Sequence, residues 1–153
     1  MLQLSYPIIV NSPQVNHLTA EQLWTGLLLR VMEPMRFTVG LERAHVSQVD
    51  DETFERVLYF GEHEICDEVK LVYARSVQFT TVANEHAPQG RLRYEIQTHA
   101  EQGLVLLCEY QTEFPEPDSD EVRQLLEMVK NAYRMADEEM LCIIREEAHL
   151  MRH

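Results

Sequence analysis

Apolar side chains recur with different periods along the chain, and each period predicts one kind of element. Residues 4–10 form a short run rich in Ile and Val that ends at the turn sequence Asn11-Ser12-Pro13, which predicts a first strand and a turn. Pro7 has no N–H to donate, so we expect it near the start of that strand or on an edge strand.

The segment from Leu18 to Pro34 predicts a helix with a defined start and stop. Thr19 and Gln22 have the spacing of a capping box, and Pro34 disfavours helical geometry in the residue before it. A surface helix usually carries an apolar stripe about 100° wide. Here about half of the circumference is apolar, through Leu23, Trp24, Leu27, Leu28, Val31 and Met32. Leu29 lies outside even this arc, and we expect it to contact the loop after Pro34 or a dimer partner.

From residue 42 to residue 113 the apolar period changes to two, which is typical of strands. Six strand-like runs follow one another at 43–49, 53–60, 63–72, 75–82, 91–98 and 103–114. The connections between them are of hairpin length, so an antiparallel sheet is predicted.

A long amphipathic helix of roughly 30 residues, far above the mean of about 11–12, follows a cap at Asp118 or Ser119. Its apolar positions recur at intervals of three and four, and they are Val122, Leu125, Leu126, Val129, Ala132, Tyr133, Ala136, Met140, Ile143, Ile144 and Ala148. The pattern drifts from a strict heptad, which disfavours a coiled coil. An antiparallel sheet that curls around this helix would bury both apolar faces.

The 153 residues suit one domain, residues 1–153, with a core that needs neither metal nor disulfides. The net charge of −13 disfavours binding to nucleic acid or to an anionic membrane surface, because both need clustered Lys and Arg.

The three cysteines are odd in number and form no CxxC, so we expect reduced, mostly buried thiols. No signal peptide and no membrane-spanning run is evident, which indicates a cytoplasmic location.

The order of elements resembles the helix-grip fold of the START and pollen-allergen-like superfamily, also called SRPBCC. LTAEQLWTGLLLRVMEPMRF at 18–37, RVLYFG at 56–61 and AYRMAD at 132–137, followed by IIRE, resemble its small AtaL-like branch. The resemblance covers nearly the whole chain. The family usually has proline directly before Val-Asn in its first strand, where this chain has Ile9.

The resemblance implies an α+β fold in which a curved antiparallel sheet of about seven strands wraps around a long C-terminal helix, with one or two short helices after the first strand. It also implies a cavity between sheet and helix. Superfamily members bind lipids, sterols, hormones or polyketides there, and some catalyse cyclisation, hydrolysis or dehydration. The AtaL-like branch has no well-defined common activity, and its name comes from a fungal secondary-metabolite cluster.

One charged pair is predicted on the inner face of the sheet. Arg56 alternates with Phe54, Leu58 and Phe60 on one strand, and Asp67 is the polar member of an apolar face on the next. A buried charge costs several kcal/mol unless it is paired, so the two side chains should meet across the strands. The pair is either a polar anchor for a ligand or a structural ion pair, and Arg56 is exposed if the register differs.

Asp137 lies beside the apolar stripe of the C-terminal helix. It either reaches the cavity as a second carboxylate or is solvated on the helix flank. Tyr94 and Tyr110 fall on apolar faces of their strands, which favours core packing with a partner for each hydroxyl.

No motif for covalent or metal catalysis is evident. The cluster His63, Glu64, Cys66, Asp67 and Glu68 divides between two faces of a strand, which excludes the helical HExxH geometry of a zinc site. A nucleophile elbow, a Gly-rich phosphate loop and a Cys–His pair are missing. We therefore predict no metal and no cofactor, while acid–base work by Asp67, Asp137 or a tyrosine stays open.

Three functions remain open. The first is binding of a hydrophobic small molecule, lipid-, polyketide- or aromatic-like, by a monomer or homodimer. The second is an enzyme of small-molecule metabolism with acid–base chemistry of the cyclase or hydrolase type, and the third is a protein-interaction module with a vestigial pocket. For the first two, the cavity candidates are Trp24, Leu27, Leu28, Phe54, Arg56, Leu58, Phe60, Asp67, Phe79, Tyr94, Tyr110, Tyr133 and Asp137.

Overall fold

The structure is a computed structural model that describes residues 1–151. Its elements are β1 (Leu2–Ile9), α1 (Ala20–Met32), a 3-10 turn (Pro34–Arg36), β2 (Arg43–Asp50), β3 (Thr53–Phe60), β4 (His63–Val72), β5 (Ser76–Thr81), β6 (Gly90–His99), β7 (Gly103–Thr112) and α2 (Asp120–Leu150). The predicted α+β helix-grip architecture is confirmed, with a curved seven-stranded antiparallel sheet, a short helix after the first strand and a long C-terminal helix.

The sheet has the strand order β1-β7-β6-β5-β4-β3-β2. Strands β2 to β7 form a continuous meander, as short hairpin connections dictate, and β1 adds to the far edge beside β7. Pro7 therefore lies on an edge strand, opposite Leu107. A residue without an N–H is tolerated there because no interior ladder bond depends on it.

Helix α1 begins and ends where the sequence predicts. Thr19 and Gln22 form both halves of the capping box, and the chain turns into the 3-10 turn at Pro34. Gly26 lies directly against α2, because a Cβ built at this position would be 2.4 Å from Cγ2 of Ile144. Glycine at this crossing lets the two helices pack together at short range.

The wide apolar arc of α1 packs into the core on one side and borders a groove on the other. Leu23, Trp24, Leu27 and Val31 are buried in the core, and Trp24 packs edge-to-face on Tyr73 at 5.9 Å. The remaining apolar side chains border a groove of about 600 Å³ between α1 and α2, which is lined on its apolar sides by Leu28, Leu29, Met32, Ile144, Ala148 and Met151.

Helix α2 is capped by Ser119, whose hydroxyl accepts a hydrogen bond from the Val122 N–H at 3.2 Å. Its second half is buried at Asp137, Met140, Leu141 and Ile144, while Leu126 is the one buried position of the first half within the described chain. The predicted apolar stripe is therefore only partly covered, with Leu125, Ala132 and Ala136 exposed.

The prediction of mostly buried thiols is wrong. Cys108 is buried, Cys66 is half-buried and Cys142 is exposed. Cys66 stands opposite Val57 on the outward face of β4, and Cys142 lies on the solvent side of α2, so neither position faces the core.

Candidate functional site

A cleft of about 290 Å³ lies between the inner face of the sheet and the chain that follows α1. Strands β3 to β7 form its floor, the residues after α1 form one wall, and Tyr133 of α2 contributes another. Its lining consists of Arg30, Pro34, Thr38, Arg56, Leu58, Ile65, Asp67, Phe79, Thr81, Ala87, Pro88, Gly90, Arg91, Leu92, Tyr110, Thr112 and Tyr133. Apolar and aromatic side chains thus surround a few charged ones.

Six of the thirteen predicted cavity residues line this cleft, namely Arg56, Leu58, Asp67, Phe79, Tyr110 and Tyr133. The other seven lie elsewhere. Trp24, Leu27, Phe54 and Tyr94 are core residues, Leu28 borders the groove between the helices, and Phe60 is half-buried at the end of β3. Asp137 is fully buried behind the cleft. The ligand-binding role of all thirteen residues stays a prediction.

Arg56 and Asp67 form a bidentate ion pair across β3 and β4. Their Cα atoms are register partners. Nε of Arg56 lies 2.8 Å from Oδ1 of Asp67, and Nη2 lies 2.6 Å from Oδ2. Both residues are buried, which excludes an exposed Arg56.

The same guanidinium also holds the end of α1. Nη1 of Arg56 donates to the carbonyl of Val31 at 3.2 Å and approaches the carbonyl of Arg30 at 3.5 Å. The guanidinium carbon lies 4.9 Å from the centre of the Phe79 ring. The last carbonyls of a helix need partners and favour a cation. The Arg56 guanidinium therefore makes three structural contacts, with Asp67, with the end of α1 and with the Phe79 ring.

Asp137 is the centre of a buried cluster of phenols. Its carboxylate accepts hydrogen bonds from Tyr6 of β1, Tyr94 of β6 and Tyr110 of β7, the last at 2.6 Å. Asp137 is completely inaccessible to solvent, so it neither lines the cleft nor lies solvated on the helix flank. Three donors on one carboxylate replace the water that burial removes.

The three hydroxyls are held in the neutral form. Burial, as the largest cause, raises the pKa of Tyr6, Tyr94 and Tyr110, and the negative charge of Asp137 raises it further. Burial and Asp137 also raise the pKa of the Cys108 thiol. These groups therefore act as hydrogen-bond donors at neutral pH.

Tyr110 connects this cluster to the cleft. It lines the cleft while donating to Asp137, and its ring stacks on Tyr133 at 4.2 Å between centres. The hydroxyl oxygen of Tyr110 keeps acceptor capacity, so it can receive a hydrogen bond from a molecule in the cleft.

Two residues of this region were missed at the sequence level. Tyr6 continues the inward alternation of Leu2 and Leu4, and that alternation was a usable signal. Arg30 follows Leu27 by three positions on the inward side of α1. The apolar pattern did not predict this placement, because Arg30 is charged. Its guanidinium carbon lies 5.7 Å from the Phe79 ring centre and 5.6 Å from that of Tyr94.

Outside the cleft and the phenol cluster, few side chains in the described part of the chain are arranged for metal binding or catalysis. Within residues 1–151 no three His, Cys, Asp or Glu side chains are grouped to hold a metal ion. His63 instead packs against His86, with ring centres 4.0 Å apart. Among those same residues, no helix has the length and apolar content needed to cross a membrane.

Residues 3–149 match the protein family described as AtaL, acetylaranotin biosynthesis cluster protein L. No curated protein matches the chain in sequence.

Solved structures with this fold include aromatase/cyclases. The di-domain aromatase/cyclase StfQ from the steffimycin biosynthetic pathway aligns with a TM-score of 0.70 at 10% identity, over 98% of this chain and 51% of StfQ. The chain thus spans about half the length of that protein. The Zhui aromatase/cyclase from Streptomyces sp. R1128 aligns with a TM-score of 0.64 at 15% identity, over 99% of this chain and 96% of Zhui.

A third similar structure is Ara h 8.0201, with a TM-score of 0.58 at 10% identity, over 94% of this chain and 97% of that one. At these identities the similarity shows the fold and not the activity.

Proposed function

The chain belongs to the AtaL family, and from that membership and the shape of the cleft we propose that it binds a hydrophobic small molecule of polyketide-like or aromatic character. The observation that carries the proposal is the mixed lining of the cleft. Leu58, Ile65, Phe79 and Leu92 offer apolar contact area, while Tyr110 offers a fixed polar contact. Small-molecule sites typically combine such walls with a few converging polar groups.

The size of the cleft limits the ligand. About 290 Å³ is near the lower end of the roughly 300–1,000 Å³ common for small-molecule sites. We therefore expect a molecule with one aromatic ring or two fused rings rather than a long lipid chain. The Zhui and StfQ structures, both described as aromatase/cyclases, support the same ligand class by analogy of fold.

The test is a ligand screen with a variant that fills the cleft. Leu58→Trp adds an indole to the cleft, whereas Val57→Trp adds the same group on the opposite face of β3. Aromatic compounds should raise the melting temperature of the wild type and of Val57→Trp and give bound masses in native mass spectrometry. Leu58→Trp should lose both effects. Binding that survives Leu58→Trp would place the ligand outside this cleft.

A second candidate function is acid–base catalysis in the same cleft, and the link from Tyr110 to Asp137 is the observation that favours it. A phenol at the cleft, backed by a carboxylate, can pass a proton between a bound molecule and Asp137. Asp67 is the weaker candidate base because its two oxygens are occupied by Arg56.

Turnover of a bound compound would decide between binding and catalysis. For an enzyme, Tyr110→Phe should lower kcat by about a hundredfold or more, within the usual contribution of a general acid or base. Tyr59→Phe is the matched control, because Tyr59 lies on the outward side of β3 under Arg43. A bound compound that stays chemically unchanged, or equal kcat in both variants, would remove this role from Tyr110.

A further inference from the structure

We propose that Arg30 is the anion-binding residue of the cleft and that the ligand is a planar aromatic acid, with a carboxylate or an equivalent enolate at one end. This inference rests on the proposed binding function and specifies its ligand class. It is carried by the hydrogen-bonding state of Arg30, by the balance of charges around the cleft and by the aromatic rings beside the guanidinium.

The first observation is that Arg30 has unused donors. Its side chain is half-buried and lines the cleft, yet in the part of the chain that the structure describes it has neither a hydrogen bond nor an ion pair; its contacts are the rings of Phe79 and Tyr94. The N–H groups of Arg56, by contrast, are hydrogen-bonded to Asp67 and to helix carbonyls. A guanidinium with five N–H groups removed from much of the solvent favours a bound oxyanion.

The second observation is the local charge. The charged side chains that line the cleft are Arg30, Arg56, Asp67 and Arg91. The ion pair cancels Arg56 against Asp67, which leaves two positive charges, one on half-buried Arg30 and one on exposed Arg91. The Asp137 carboxylate lies behind the cleft, bonded to three phenols, and its negative charge also acts on Arg30. With Asp137 counted, one positive charge remains at the cleft, on a chain whose net charge is −13.

The third observation is that Arg30 is held in place. Arg56 binds the carbonyls of Arg30 and Val31, so the ion pair fixes the last turn of α1 from which the Arg30 side chain extends. Burial opposes the charge of Arg30, but the electrostatic influence of the surrounding acidic groups, Asp137 among them, outweighs burial and raises the pKa of Arg30 above its usual value. Arg30 is therefore a cation at neutral pH.

These features together select a planar acid. Guanidinium and carboxylate form two parallel hydrogen bonds in one plane, and the flat walls at Phe79 and Tyr110 suit a ring attached to that carboxylate. A hydroxyl on the ligand could donate to the oxygen of Tyr110. A neutral hydrocarbon of the same shape would leave the Arg30 donors without an acceptor.

The test compares naphthoate with naphthalenemethanol, which has a similar shape and no charge, by isothermal titration at neutral pH. The wild type should bind naphthoate more tightly. Arg30→Gln should weaken naphthoate by about tenfold or more, as expected for loss of a charged hydrogen bond, and should leave naphthalenemethanol within about twofold. Arg30→Lys should retain part of the preference, because it keeps the charge and loses the bidentate geometry.

Arg43→Gln is the matched control. Arg43 also lies over an aromatic ring, 4.1 Å from the centre of Tyr59, but on β2 away from the cleft, and its loss should not alter the preference. Equal affinity of the wild type for both compounds would overturn the role of Arg30 and leave the binding function intact. Failure to bind either compound would count against both proposals, and an unchanged preference in Arg30→Gln would assign the anion to another residue.

Discussion

Arg56 and Asp67 stand directly opposite each other on neighbouring strands, and two hydrogen bonds of 2.8 and 2.6 Å join them inside the sheet. Arg56 also binds the end of α1, so one side chain connects the sheet to the helix beside the cleft. The pair is therefore part of the fold whether or not a ligand contacts it.

We expect Arg56→Met to lower the free energy of unfolding by about 3–5 kcal/mol, because it leaves the Asp67 carboxylate buried and unpaired. The double variant Arg56→Met, Asp67→Leu should recover much of that loss, since no charge is then left without a partner. Urea denaturation measures both. A double variant no more stable than Arg56→Met would show that the loss comes from the missing contacts of Arg56 with α1 and not from the unpaired Asp67 carboxylate.

The phenol cluster predicts loss of stability at alkaline pH. The pKa values of Tyr6, Tyr94 and Tyr110 are raised in the folded protein, first by burial, whereas unfolded tyrosines ionise near pH 10. Above that pH the unfolded chain binds fewer protons than the folded chain, so the free energy of unfolding falls as pH rises. Below about pH 10 the contribution of the three tyrosines to the free energy of unfolding is fully present.

Phenolate absorbance and denaturation, followed together from neutral to alkaline pH, check this expectation. The three clustered tyrosines should ionise only as the fold is lost. Tyr94→Phe should weaken the alkaline dependence, because it removes one of the three groups. Ionisation of all six tyrosines in a protein that is still folded would contradict it.

The contact between Gly26 and Ile144 predicts a packing defect. Gly26→Ala places a methyl group where the nearest Ile144 carbon is 2.4 Å away, and such overpacking typically costs about 1–3 kcal/mol. Thr25→Ala, at an exposed position of the same helix, should be close to neutral. Adding Ile144→Ala to Gly26→Ala should show a favourable coupling in thermal denaturation, and additive effects would mean that the helices move apart instead.

The thiols should differ in reactivity toward a disulfide reagent. Cys142 is exposed and should react first, and Cys66 is half-buried and should follow. Cys108 is buried and burial raises its pKa, so the reactive thiolate is scarce and inaccessible. Cys142→Ser should remove the fast phase, and Cys108 should react only with unfolding. A fast phase that persists in Cys142→Ser would contradict this order.

Local patterns were sufficient for the elements of this protein. Alternation marked the strands, the Thr19 and Gln22 capping box marked the start of α1, and periodicity marked α2. These signals depend on residues a few positions apart, whose side-chain directions follow from strand or helix geometry alone. The pairing of Arg56 with Asp67 was also predictable, because a short hairpin sets the register of its two strands.

The site depended on contacts between residues far apart in the chain. Asp137 is bound by Tyr6, 131 positions earlier, and by Tyr94 and Tyr110 from two other strands. The helix periodicity placed Asp137 beside the apolar stripe but did not specify which side chains would surround it. Burial of this carboxylate is possible only because the curved sheet brings three phenols to one point.

The sequence by itself thus determined the order of elements, the antiparallel pairing of consecutive strands from β2 to β7 and the inward direction of the charged pair, since each follows from local geometry. Only the tertiary structure decided that the cleft lies toward the end of α1, that Trp24, Leu27 and Tyr94 belong to the core, and that Arg30 faces the cleft. The angle and depth at which two helices pack on a curved sheet decide which side chains border empty space. That geometry is set by the whole core together, as the close approach at Gly26 illustrates.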